Sequence, residues 1–268
     1  MDAFNLAFTS ISAGGFIPTN DLSNIINKEL QIYVLSATLL FPIFNFYLLF
    51  NIFTKQFSLK NHQEDLYLGI LILLLTLLFY FFIIPNTKLS DIFLAITSSL
   101  STSGIAARYA NFDVSLFFLI LTIIGGSLIS TSSGIKFVRF YILLKISYQE
   151  IYRLVKPINV FNKNLFNTES KIGEEDSKIA FLVFILFIIS LFILSGILTL
   201  DVLTFESAFK LSILTLTNTA SSSIYGLDNL HFFDLNSFTK ISLIIFMILG
   251  KIEIIAVLYL IKRFIFEE

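Results

Sequence analysis

A polar, glycine-rich stretch interrupts a hydrophobic segment in the middle of the chain. The apolar run Val114–Ile124 is followed by Gly125–Gly134, which holds three glycines and five hydroxyl side chains, and a helical pattern resumes after Lys136. In hydrocarbon, non-helical backbone persists only where other protein covers it or where it lines a wet cavity. A chain that carries such a stretch within a membrane span is therefore expected to surround an aqueous path.

The composition places the chain among integral membrane proteins. Hydrophobic residues make up 56% of its 268 residues and charged residues only 14%, and several apolar segments reach the length of about 20 residues that crosses a bilayer. We predict an all-α fold with about five spans. They are Glu29–Phe53 (kinked at Pro42), Leu66–Ile84, the broken Val114–Ile146, Ile179–Leu200 and Phe238–Phe264.

Several function classes are disfavoured. The chain has no Cys and two His, which argues against a thiolate or His-based metal site, and its net charge of −1 is not typical of a nucleic-acid binder. A membrane-embedded enzyme needs convergent catalytic groups, and Glu253 is the single acid that we place inside a span. We therefore predict that the chain is not an enzyme, with no catalytic residues and no cofactor.

Charge predicts the orientation. Most Lys and Arg residues lie in Thr54–Asp65, in the stretch Lys136–Lys178 and near the C-terminus. Because basic loops stay in the cytosol, we predict a multi-pass protein of the plasma (inner) membrane, in contact with lipid, with a cytosolic C-terminus.

Three short helices, each followed by a loop of small and hydroxyl residues, form an internal repeat. We predict the helices over Asp2–Ser10 (with Asp2 as the N-cap), Asp91–Ser99 and Thr204–Thr215, all too short to span a bilayer. The same thirteen-residue offset runs from Asp2 to Gly15, from Asp91 to Gly104 and from Ser207 to Ala220. The repeated unit is a helix, a re-entrant pore helix, a loop and a second helix, as in potassium channels.

Such a unit suits cation binding. A short helix that enters from outside aims its carbonyl end, with partial negative charge, at the membrane centre. The carbonyl oxygens of the following loop can then replace the hydration shell of a cation. Three loops with the same spacing favour this interpretation over simple surface connections. The candidate ion-binding residues are Ser12, Ala13, Gly14 and Gly15; Ser101, Thr102, Ser103 and Gly104; and Thr217, Asn218, Thr219 and Ala220.

At these residues the chain resembles the TrkH/KtrB/HKT superfamily of potassium transporters, and within it the TrkH family. Thr9–Phe16 is similar to the family's second filter loop, and Ser98–Ile105 with Gly125–Arg139 is similar to the third filter loop and the intramembrane loop. Leu249–Glu253 resembles the Gly-Arg-Leu-Glu signature of the last helix. The resemblance covers essentially the whole chain.

The resemblance implies K⁺ permeation through four loops in one chain, with K⁺ as the single metal, bound at the filter. It also implies a homodimer and a cytosolic nucleotide-binding regulatory subunit of the TrkA/KtrA kind, for which Glu150–Ser177 is the docking surface. A gate is expected below the filter. Its residues are Gly125, Gly126, Ser130, Thr131, Gly134, Lys136, Lys251 and Glu253.

Two lysines have more than one interpretation. Lys136 either snorkels at the edge of the loop or lies beneath the filter, where it would repel cations when the gate is shut. Lys251 either pairs with Glu253 or contacts the intramembrane loop, and it stands where the family has Arg. A lysine keeps the charge and loses the planar fork.

The unit boundaries show a departure from the family. We divide the chain into residues 1–65 (second half of a pore unit), 66–176 (a complete unit with the intramembrane loop and a cytosolic tail) and 177–268 (a complete unit). The first family unit has no counterpart, so we interpret the chain as a fragment lacking an N-terminal pore unit, which another polypeptide could alternatively supply.

Ala220 is a second departure, because the family has glycine there. If that position needs a left-handed backbone, alanine costs about 1–2 kcal/mol. A Na⁺-permeable relative and a non-conducting structural or regulatory subunit with a degenerate filter remain alternatives to the potassium-conducting subunit.

Overall fold

The computed structural model of the chain is helical. It describes residues 1–19, 22–26, 28–55, 58, 62–84, 87–106, 114–155, 164–166, 168, 171–201, 203–227 and 232–251. Within these ranges the β-structure is confined to one isolated bridge between Asn164 and Lys171. The helices are α1 Asp2–Ser12, α2 Glu29–Thr38, α3 Phe46–Phe53, α4 Gln63–Leu78, α5 Leu89–Leu100, α6 Ser115–Ile124, α7 Phe137–Val155, α8 Glu174–Thr199, α9 Phe205–Leu216 and α10 Ser237–Lys251.

The predicted all-helical class is confirmed over this part of the chain. Among the described residues, two helical stretches are long and apolar enough to cross a membrane, by length and composition alone: Gln63–Ile83, which is α4 with a π-helical turn at its end, and Glu174–Thr199. The number of spans stays a prediction.

Helix α5 forms the centre of the molecule. All of its residues from Ser90 to Leu100 except Phe93 are buried, and it packs against α2, α4 and α6. A helix that is buried on every side belongs to a protein core or to a membrane interior. By contrast, α8 exposes large apolar residues such as Phe181 and Phe192, as expected of a surface that faces lipid.

The first long apolar segment differs from its prediction. We expected one span over Glu29–Phe53 with a kink at Pro42, but α2 ends at Thr38 and α3 begins at Phe46. The seven residues between them form turns rather than α-helix, and the carbonyl oxygens of Pro42 and Ile43 bind another loop. Asn45 then caps α3 by accepting a hydrogen bond from the Tyr47 amide at 2.9 Å.

The start of the first short helix also differs. Asp2 is the first helical residue of α1 rather than its N-cap, which is Met1. An acidic residue in the first turn still interacts favourably with the helix dipole. At the third short helix, Thr204 is the N-cap, and its hydroxyl accepts a hydrogen bond from the Ser207 amide at 3.4 Å.

Candidate functional site

The three short helices α1, α5 and α9 end in the same backbone turn. The residue three positions after the predicted end of each helix has left-handed φ: 55° at Ala13, 58° at Thr102 and 50° at Asn218. In each loop the next residue's amide donates to the carbonyl five residues earlier, at 2.8 to 3.1 Å, which is the Schellman pattern. These bonds join Gly14 to Thr9, Ser103 to Ser98 and Thr219 to Leu214.

The loops after these helices meet one another. A Cβ atom added to Gly15 would overlap the carbonyl oxygen of Ser103 and lie 2.7 Å from the Cβ of Ala220. A Cβ atom added to Gly104 would overlap the carbonyl oxygen of Ala220. Gly15 and Gly104 also have positive φ, 71° and 73°, so both space and backbone conformation require glycine there.

Ala220 does not share that conformation. It is not among the residues with positive φ, although it occupies the position equivalent to Gly15 and Gly104. Alanine therefore carries no left-handed strain here, and the cost considered from the sequence does not arise. The backbone conformation of the third loop at this position therefore differs from that of the other two loops.

Hydroxyl side chains in the second and third loops bond to one another. Ser101 Oγ lies 3.0 Å from Ser103 Oγ, and Thr217 Oγ1 lies 2.8 Å from Thr219 Oγ1. All four residues are buried. Because these hydroxyls find partners inside their own loops, each loop has a defined shape, which a site built from backbone oxygens needs.

The loop between α6 and α7 (residues 125–136), named the intramembrane loop after its family counterpart, contacts the last turn of α1 and the loop after α5. The Ser133 amide donates to Thr102 Oγ1 at 3.0 Å, and Thr131 Oγ1 donates to the Ile11 carbonyl oxygen at 3.1 Å. From α10, Lys251 Nζ donates to the Thr131 carbonyl oxygen at 2.9 Å and lies 3.4 Å from Ser133 Oγ. The loop therefore joins α10 to the ends of α1 and α5.

Lys136 is enclosed by the same loop. Its side chain is 7% exposed, and Nζ donates to the carbonyl oxygens of Ser130 at 3.1 Å and Ser132 at 2.5 Å. It also lies 3.2 Å from Ser130 Oγ. A lysine held in this way does not snorkel to a surface, and its charge stays within the loop.

Glycines allow the tight path of the loop. Gly125 and Gly134 have φ of 66° and 90°, and a Cβ atom on Gly134 would lie 2.7 Å from the Thr122 carbonyl oxygen. A Cβ atom on Gly126 would lie 2.5 Å from the Ile43 carbonyl oxygen. Gly250 has a similar role in α10, since a Cβ atom there would overlap the carbonyl oxygen of Leu216 at the end of α9.

One predicted residue cannot be placed. Glu253 lies outside the described residues, so its pairing with Lys251 stays a prediction. Apart from Lys251 on α10, the remaining candidates fall into two groups that touch each other, the ends of the three short helices and the intramembrane loop.

Sequence reasoning missed three polar residues that support these groups. Tyr225 is fully buried behind the third loop, and its Oη lies 3.3 Å from Ser99 Oγ on α5. Glu64 and Asp65, at the start of α4, accept the backbone amides of Leu128 in the intramembrane loop and of Asn45 before α3. Acidic residues in the first turn of a helix are common, so their position alone did not distinguish them.

A charged pair marks the start of α9. Lys210 is 8% exposed, and its Nζ lies 2.7 Å from the exposed Glu206 carboxylate. The hydrogen bond and charge of Lys210 lower the pKa of Glu206. The Glu206 carboxylate therefore stays ionised at neutral pH, beside the buried Lys210 side chain.

Known proteins are similar in sequence to nearly the whole of this chain. TrkH of Salmonella typhimurium, a Trk system potassium uptake protein, is 29% identical over 281 residues, which cover 97% of this chain and 55% of that protein. TrkG of Escherichia coli K12, a second potassium uptake protein, is 26% identical, covering all of this chain and 56% of TrkG. The chain thus spans little more than half the length of these relatives.

The structure matches that of TrkH from Vibrio parahaemolyticus, a potassium transporter. The TM-score is 0.80 at 23% identity, with 97% of this chain and 57% of the other covered. No protein-family model matches the chain. These relatives are potassium uptake proteins and not enzymes, and the resemblance to Trk-type potassium transporters that the loops and the last helix predict is confirmed.

Proposed function

We propose that the chain carries potassium, as a monovalent cation, across the plasma membrane as the pore-forming subunit of a Trk-type uptake system. The observation that carries the proposal is the meeting of Gly15, Gly104 and Ala220 at the ends of three helices that finish in one kind of turn. The named potassium uptake proteins among its relatives support the choice of ion.

In this proposal α1, α5 and α9 are re-entrant pore helices. Their C-terminal ends direct partial negative charge towards a common centre, where a cation that has shed water gains carbonyl ligands. The filter consists of the twelve candidate residues in 12–15, 101–104 and 217–220. The repeat units are residues 1–65, 66–176 and 177–268.

A further pore unit, from polypeptide outside these 268 residues, completes the ring. A largely apolar cavity of about 410 Å³ lies between Gly14 and Phe16 on one side and Leu214, Ala220 and Met247 on the other. It adjoins the loops at the position where a fourth unit would close the circle. The proposal therefore assigns this cavity to the missing unit.

The intramembrane loop is the gate. It contacts the last turn of α1 through Thr131 and the second filter loop through Ser133, and Lys251 of α10 bonds to it. Lys136 places a fixed positive charge inside the loop. A regulatory nucleotide-binding ring, docked on the segment Glu150–Ser177 of a homodimer, would open the pore by moving this loop.

Growth of a K⁺-uptake-deficient bacterial strain at low external K⁺ tests the proposal. We expect the chain, joined to its missing pore unit and expressed with its regulatory subunit, to restore growth and ⁸⁶Rb⁺ uptake. A well-expressed, membrane-inserted protein that restores neither would contradict it. Uptake of Na⁺ in place of Rb⁺ would instead favour the Na⁺-permeable alternative that Ala220 suggests.

A further inference from the structure

The intramembrane loop is paired on one side with the break between α2 and α3. The amides of Ser127 and Ser132 donate to the carbonyl oxygens of Ile43 at 2.8 Å and Pro42 at 3.2 Å. In the opposite direction, the Phe46 amide donates to the Ile129 carbonyl oxygen at 2.9 Å. Three backbone hydrogen bonds therefore join the loop to the break and to the first residue of α3.

These bonds provide hydrogen-bond partners for backbone groups of the break and of the loop. Backbone groups that leave a helix inside an apolar region need other partners. The carbonyl oxygens of the break accept amides of the loop, and a carbonyl oxygen of the loop accepts the amide of Phe46 at the start of α3. Gly126 lets the two backbones approach, since a Cβ atom there would lie 2.9 Å from Ile43 Cα and closer still to its oxygen.

Two adjacent carboxylates at the start of α4 hold the two segments together. Glu64 Oε1 accepts the Leu128 amide of the intramembrane loop at 2.9 Å. Asp65 Oδ1 accepts the Asn45 amide at the end of the break at 2.8 Å. One helix start thus binds one backbone amide from each of the paired segments.

Asp65 is itself held in place. It is 4% exposed, and its second oxygen lies 3.4 Å from Nδ1 of His62, which is also buried. The other ring nitrogen of His62 lies 3.0 Å from Asn51 Nδ2 on α3. The carboxylate therefore connects α4, the break and α3, and its orientation is fixed from both sides.

The opposite side of the loop is held differently. There the contacts run through the side chains of Thr131, Lys251 and Thr102. Side chains can exchange partners by rotation, whereas backbone pairs break only when a segment moves. The loop thus has a backbone-paired side and a side-chain-held side.

We propose that Glu64 and Asp65 are positioning residues that clamp the intramembrane loop to the α2–α3 break, so that the loop moves only on its Lys251 side. This rests on the proposed function as far as gating is concerned. The clamp itself predicts that backbone amides of residues 125–134 are protected from hydrogen exchange. Glu64 and Asp65 together form the carboxylate clamp.

Amide hydrogen exchange of the complete protein, followed by mass spectrometry, tests the clamp. We expect Glu64→Ala and Asp65→Ala each to speed exchange of peptides from 125–134 by about tenfold, because each variant removes a carboxyl oxygen that accepts a backbone amide. Glu64→Gln and Asp65→Asn keep an acceptor oxygen and should stay within about twofold of the native rate. Glu175→Ala, on the exposed first turn of α8, is the matched control.

Exchange across α9 separates a local clamp from general loosening. Unchanged exchange of 125–134 in both alanine variants overturns the proposal, and so does an equal acceleration in α9. If the alanine variants cannot be recovered, Gly126→Ala disturbs the same pairing from the loop side. It must then speed exchange of 125–134 locally, and an unchanged rate there overturns the proposal.

Potassium uptake measured with and without the regulatory ring adds the functional arm. We expect the alanine variants to bring the ratio of these two rates close to one, while the Gln and Asn variants keep the native ratio. An unchanged ratio in conducting alanine variants overturns the clamp as a gating element. If the native protein carries no K⁺, the proposed function fails, whereas the exchange comparison still decides whether the clamp holds the loop.

Discussion

Gly15 and Gly104 are the residues at which the smallest change should have the largest effect. Both have positive φ, and an added methyl group would overlap a carbonyl oxygen of a neighbouring loop. We expect Gly15→Ala and Gly104→Ala each to reduce ⁸⁶Rb⁺ uptake at least about tenfold, because left-handed strain of about 1–2 kcal/mol adds to a backbone overlap. Gly196→Ala in α8, where nothing lies within 4 Å, is the control and should conduct normally.

The Tyr225 hydroxyl tests how the third loop is supported. Removing it leaves Ser99 Oγ without this partner in a fully buried place. We expect Tyr225→Phe to lower the free energy of unfolding by about 1 kcal/mol and to change the ratio of K⁺ to Na⁺ uptake. Thermal unfolding in detergent and paired flux assays measure the two effects. A variant with lower stability but an unchanged ratio would show that the tyrosine supports the fold alone.

Lys251 should reveal whether the side-chain contacts restrain the loop. Lys251→Ala removes the donor to the Thr131 carbonyl oxygen, and we expect uptake in cells lacking the regulatory ring to rise several-fold. Lys251→Arg keeps a donor and a charge and should remain regulated. Equal uptake by the alanine and arginine variants would contradict a restraining role for Lys251.

At the scale of the element, the loops after α1, α5 and α9 could be predicted from the sequence, whereas the break between α2 and α3 could not. The thirteen-residue spacing pointed to three equivalent helix ends, and the φ values of Ala13, Thr102 and Asn218 agree with an equivalent turn. Pro42 suggested a kink, but no property of Leu39–Asn45 alone indicated that its carbonyls serve a loop more than 80 positions later. Long-range backbone pairing leaves no periodic signal in either partner.

Helix α8 provides a direct test of the membrane arrangement. Because the chain contains no cysteine, single introduced thiols can be labelled without background from its own residues. We expect Ile189→Cys, at the middle of α8, to resist a membrane-impermeant thiol reagent. Lys178→Cys should react from the cytosolic side and Leu200→Cys from the outside. Labelling of the last two positions from the same side would contradict a crossing by α8.

For the whole molecule, the resemblance to known transporters indicated more about function than the physical properties of the sequence did. Membrane class and internal repetition followed from apolar length and residue spacing, whereas the choice of potassium depends on relatives. The candidate site was found as two groups, but their contact through Ser133 and Thr102 could not be foreseen, because residues 31 positions apart meet only once the fold exists. The carboxylate clamp was missed for the same reason.

A hydrogen bond from the Ser133 amide to the Thr102 hydroxyl joins the loop between α6 and α7, the proposed barrier to ions, to the loop after α5, part of the proposed ion sieve. If the barrier swings aside, that hydroxyl loses its donor and the sieve must relax to a new shape. Discrimination between ions would then differ between the shut and the conducting forms, so preferences measured by equilibrium binding to the resting protein should not match those measured during flow.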